Sequence, residues 1–60
     1  MSDPVAPTSV VLYVEDEMLN RELMRSIFKF RPELQLLEAR LGADALEIAQ
    51  RERPDLILLD

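Results

Sequence analysis

Along this chain the rhythm of apolar and polar positions changes four times, and each change marks a new element. Val10-Val11-Leu12-Tyr13-Val14 is an unbroken apolar run, β-branched and aromatic and too short for a helix, so it predicts a strand buried on both faces. The run stops at Glu15-Asp16-Glu17. From Met18 the apolar residues fall at Leu19, Leu23, Ile27 and Phe30, with Met24 and Phe28 beside them. That spacing predicts one amphipathic helix ending before Pro32, its stripe buried against a sheet. Arg21, Arg25 and Lys29 recur at i, i+4 and i+8 and read as a solvated cationic row, with Glu22 and Ser26 on or near the wet side.

Leu34 to Ala39 is a second short apolar run interrupted by Glu38, which predicts an outer strand with one wetter face. Helical spacing returns from Ala43 to Arg51 through Ala45, Leu46, Ile48 and Ala49. Asp44 stands near the positive end of that helix dipole, Arg51 and Arg53 near its negative end, and Pro54 closes it. Leu56-Ile57-Leu58-Leu59, between Asp55 and Asp60, is the last strand. Residues 1–9 hold two prolines and no periodicity and read as a flexible leader, leaving residues 10–60 as the ordered part.

Strands alternating with helices through short links predict an α/β fold with parallel strands and right-handed crossovers. The single glycine, Gly42, supports this, because no Asn-Gly or Asp-Gly hairpin is available. The first and third strands both lack a polar side and should both be central. The third has no successor, so its edge invites pairing with another chain.

Composition narrows the chemistry. Cysteine and histidine are both absent, which removes disulfides, thiol catalysis, His-based triads and the usual zinc and haem sites. The net charge of −5 argues against a nucleic-acid surface. The start MSDPVAPTS lacks the basic and long apolar segments of a signal peptide, and the run at Val10 is far too short to span a bilayer, so a cytoplasmic location without membrane contact is expected. At 60 residues the chain sits near the lower limit of independent folding, and with no disulfide or zinc available, stability has to come from a partner or further sequence.

In open parallel sheets ligands collect at the carboxyl ends of strands, beside the point where connections reverse. Glu15 and Asp16 stand at that end of the first strand and Asp60 at that end of the third. With strand order 2-1-3 these strands are neighbours and the three carboxylates share one rim. Such a cluster repels itself unless a cation intervenes, and hard oxygen donors suit Mg²⁺, which typically takes one or two carboxylates and keeps waters.

The strings VLYVEDEMLNRELM and GADALEIAQRERPDLILLD resemble the first half of a response regulator receiver domain, the phosphoacceptor module of two-component signalling. The resemblance covers about Val10 to Asp60. It implies the β-α-β-α-β portion of a flavodoxin-like doubly wound parallel sheet, ending at the third strand. It further implies that Asp60 accepts a phosphoryl group from a histidine kinase or phosphotransfer protein, and that Glu15 and Asp16 are the acidic pair of the Mg²⁺ site. Asp16 would bind the metal directly and Glu15 more often through water. A complete receiver would continue through two more strands and supply a main-chain carbonyl, a Ser or Thr and a Lys. Lys29, Thr8, Ser9 and Ser26 stand in the wrong elements to replace them. The 60-residue chain is therefore expected to be a signalling module rather than an enzyme, and not to accept a phosphoryl group alone.

Two plainer readings stand beside this one. Glu15, Asp16 and Glu17 could be a charged helix start, since acidic residues favour the first turn. The whole chain could be a non-catalytic interaction module that pairs through its third strand or first helix.

Overall fold

Val11, Leu12, Tyr13 and Val14 are all buried because the strand they form, β1 (Ser9–Val14), lies between two others. The computed structural model describes residues 9–59. Residues 1–8 of the expected leader, and Asp60, lie outside the described residues. Three parallel strands, β1, β2 (Leu34–Ala39) and β3 (Leu56–Leu59), run in the order β2-β1-β3. Helices α1 (Met18–Phe28) and α2 (Gly42–Glu52) connect them. The α/β class, the parallel strands and the order 2-1-3 are as the sequence predicts.

β1 begins at Ser9, one residue earlier than the apolar run, because the Ser9 N–H donates to the Glu33 carbonyl at 3.3 Å and Ser9 pairs with Leu34. β2 is an edge strand, as Glu38 foretold. β3 takes the opposite edge of the described sheet, where Leu56, Ile57 and Leu59 are exposed, the open edge expected of an apolar third strand with no successor. Asp55 ties its start to β1: the Asp55 N–H donates to the Val10 carbonyl, and the Val10 N–H donates to Asp55 Oδ2, both at 2.7 Å.

Successive strand residues face opposite ways. Leu37 and Ala39 of β2 pack with Leu12, Val14 and the α2 residues Ala45, Ile48 and Ala49, forming the core. Glu38 must then point to the other face, where Arg21 and Arg25 of α1 meet it. The two helices therefore cover opposite faces, as right-handed crossovers from a central β1 require. At the end of α2, Arg53 takes a left-handed conformation (φ 49°) before Pro54, and its N–H donates to the Ala49 carbonyl at 2.9 Å.

α1 corrects two expectations. Of the apolar stripe only Met24 and Phe28 are half-buried, whereas Leu19, Leu23, Ile27 and Phe30 are not buried against the sheet; Leu19 is 73% exposed, Leu23 63% and Phe30 83%. Arg21, placed by its spacing in a solvated row, is only 8% exposed. The cause is shared: α1 packs on β2, and turning Arg21 and Arg25 toward Glu38 turns the apolar stripe away from that strand.

Candidate functional site

β1 delivers Glu15 and Asp16 to the carboxyl end of the sheet, where the Glu15 N–H completes the ladder by donating to the Ala39 carbonyl at 2.9 Å. Glu15 is 4% exposed, an unusual place for a carboxylate, and it is held on every side. Its Oε1 accepts from the Tyr13 hydroxyl at 3.2 Å and its Oε2 from the Glu17 N–H at 3.1 Å. Its carbonyl accepts from Arg21 Nη1 at 2.9 Å. Asp16, next in sequence, is exposed. The two acids thus have different situations: one is fastened inside the loop and the other is presented to solvent.

The Glu15 carboxylate satisfies one of the backbone N–H groups that α1 leaves unpaired at its start. Glu17 occupies the N-cap position without a side-chain cap, and no acidic residue stands in the first helical turn. The plain reading of the acidic run as a charged helix start thus accounts for Glu15 in part and leaves Asp16 over.

Behind the loop lies a chain of polar contacts. Arg21 Nε lies 3.7 Å from Glu38 Oε1. Arg25 grips Glu38 with both arms of its fork, Nε to Oε2 at 2.6 Å and Nη2 to Oε1 at 2.9 Å. The Glu38 carboxylate beside it raises the Arg25 pKa, through the hydrogen bond first and charge second. Glu38 is the register partner of Tyr13, whose hydroxyl returns to Glu15. Sequence reading missed this network. Its available signal was Glu38 itself, since a carboxylate within an apolar strand calls for a cation, and the helix before it carries several.

In front of the loop is a depression lined by Val14, Glu15, Asp16, Arg40, Leu41 and Gly42. β3 ends at Leu59, the register partner of Val14, directly before Glu15. Asp60 lies outside the described residues, so of the three expected site residues the structure describes Glu15 and Asp16. Among the described residues no group of three or more acidic side chains converges as a metal cage.

A model of the response regulator receiver domain matches residues 11–60. The chain is 41% identical over 51 residues to a protein-glutamate methylesterase/protein-glutamine glutaminase of Pyrococcus horikoshii, a match covering 83% of this chain and 14% of that protein. It is 41% identical over 54 residues to the polar-differentiation response regulator DivK of Brucella anthropi, covering 90% of this chain and 42% of the relative. DivK of Brucella ovis is 38% identical over 53 residues. The chain spans less than half the length of these curated relatives. No solved structure gives a significant match.

Proposed function

Since this chain belongs to the response regulator receiver family, we propose that it is the receiver module of a two-component phosphorelay, accepting a phosphoryl group on Asp60 in the presence of Mg²⁺. The observation that carries the reading is the β2-β1-β3 order with Val14 opposite Leu59, because Glu15-Asp16 and Asp60 directly follow those two partners in sequence. The donor set fits the ion: it offers oxygen only, and Mg²⁺ needs one or two carboxylates and retains water. Asp16, exposed, is the direct ligand together with Asp60. Glu15, with both carboxylate oxygens already accepting protein hydrogen bonds, acts through water.

In the reaction an Asp60 carboxylate oxygen attacks phosphorus, forming a P–O bond as the P–N bond of a phosphohistidine donor breaks and the imidazole nitrogen takes the electron pair. A bound Mg²⁺ neutralises the negative charge that attacking carboxylate and phosphoryl oxygens would otherwise bring together. The donor is a histidine kinase or phosphotransfer protein, and the setting is the cytoplasm; among the described residues no helix is long and apolar enough to cross a membrane. Acetyl phosphate should label the full-length protein only with Mg²⁺, and Asp60→Ala should abolish the label; labelling that survives this change would sink the reading. The 60-residue chain alone should not hold the label, because its one lysine, Lys29, stands at the C-cap of α1, at the end of the helix away from the acidic rim.

The exposed apolar residues Leu19, Leu23 and Phe30 favour a second reading, a non-catalytic module that pairs through α1 or the β3 edge. Sedimentation separates the two. A monomer at micromolar concentration that is labelled by acetyl phosphate excludes obligate pairing.

A further inference from the structure

We infer that Arg21 is a positioning residue that fixes the acidic loop for divalent-cation binding. The inference rests on the reading of Glu15 and Asp16 as residues of the Mg²⁺ site. Arg21 is the one buried cation among the described residues, and a buried charge is retained at a cost unless its hydrogen bonds are made. One is made, Nη1 donating to the Glu15 carbonyl at 2.9 Å, and an ion pair stands beside it, Nε lying 3.7 Å from Glu38 Oε1. Arg25 holds Glu38 in place from the solvent side.

The result is a closed circuit through four elements. Tyr13 on β1 reaches the Glu15 side chain, the Glu15 carbonyl receives Arg21 of α1, Arg21 faces Glu38 on β2, and Glu38 pairs in register with Tyr13. Glu15 has its N–H, its carbonyl and both carboxylate oxygens engaged, so the peptide leading to Asp16 is fixed at its start. Arg21 is the member of the circuit that bonds the carbonyl of this peptide, adding a side-chain link toward β2 to the ladder bond between the Glu15 N–H and Ala39.

Position and charge act in opposite directions here, which makes the idea testable. A positive guanidinium near a cation site weakens cation binding by repulsion. Were Arg21 merely a charge, removing it would tighten Mg²⁺ binding. As an anchor, its removal loosens the loop and weakens binding, by about tenfold, as loss of a hydrogen-bond partner behind a metal ligand does.

The experiment is a calorimetric Mg²⁺ titration of the full-length protein and four variants, well below each melting temperature. Arg21→Met should weaken binding about tenfold. Arg21→Lys keeps the charge but loses the fork and should weaken it several-fold; it also carries the test if the methionine variant fails to fold. Arg25→Met, which removes an exposed grip on Glu38 and leaves the Glu15 contact, should weaken Mg²⁺ binding less than Arg21→Met does even if its melting temperature falls as far. Binding by Arg21→Lys at parental strength, or tighter binding by Arg21→Met, overturns the inference. Asp16→Asn separates the two levels of the argument. If it leaves Mg²⁺ binding unchanged, the reading of the site itself fails; if it weakens binding while the Arg21 variants do not, only the role of Arg21 fails.

Discussion

The two faces of this sheet are held by different physics. Under α2 the contacts are apolar and non-directional: Leu12, fully buried, with Val14, Ala39 and Ala45 around it and Leu37, Ile48 and Ala49 packed on them. Under α1, where Val11 and Tyr13 are buried and Met24 and Phe28 of the helix are half-buried, directional charged contacts are added, running from Glu15 through Arg21 to Glu38 and Arg25, while Leu19, Leu23 and Ile27 face solvent. An apolar face tolerates small displacements, whereas a hydrogen-bonded one fixes positions. The face that carries the acidic loop is the one that fixes positions, and the face that carries the core supplies stability.

This contrast predicts a ranking of effects in the full-length protein. Leu12→Ala, on the α2 face, should cost about 3 kcal/mol, measured as a shift in urea midpoint at unchanged slope. A loss under 1 kcal/mol would mean that the core lies elsewhere. Tyr13→Phe, which removes the hydroxyl donated to Glu15, should cost about 1 kcal/mol and leave the α2 face intact. Leu23→Gln should change stability by less than about 0.5 kcal/mol, because its side chain already meets water. A loss several times larger would show the α1 stripe to be covered in solution, and the contrast between the faces would narrow.

Acid should expose the smallest difference. The Glu33 carboxyl, in the link between α1 and β2, is held below its ordinary value by its own backbone N–H and then by Arg31. A carboxyl with a depressed folded-state pKa stabilises above its unfolded value and loses that contribution as pH falls through the folded one. The α1 side should therefore weaken slightly as pH drops below about 4.5, and Glu33→Gln should flatten that part of the stability profile.

Most of the architecture was legible because it follows from local pattern. A continuous β-branched run buried on both sides, two helical spacings and short links leave few parallel topologies, and the order β2-β1-β3 puts Glu15 and Asp16 at the end of β1. The orientation of α1 was not legible. Periodicity shows that a helix has two faces, and the apolar one is assigned inward by habit; here Glu38, on a strand that follows the helix, decides which face turns in. The same gap hid Arg21, whose spacing with Arg25 and Lys29 says nothing of a partner 17 positions away. Asp55 was likewise read as a boundary, since a bond across 45 residues leaves no local trace.

That last residue works as the zero mark of a ruler. β3 is a short strand, and a slip of one residue against β1 would exchange its two faces and shift its far end by one step. Asp55 prevents this by engaging both the N–H and the carbonyl of Val10. Everything beyond is counted from there: at about 3.3 Å per residue, four steps carry the strand roughly 13 Å to Leu59, level with Val14. The alignment of the acidic rim is thus set at the opposite end of the sheet, by a carboxylate that takes no part in its chemistry.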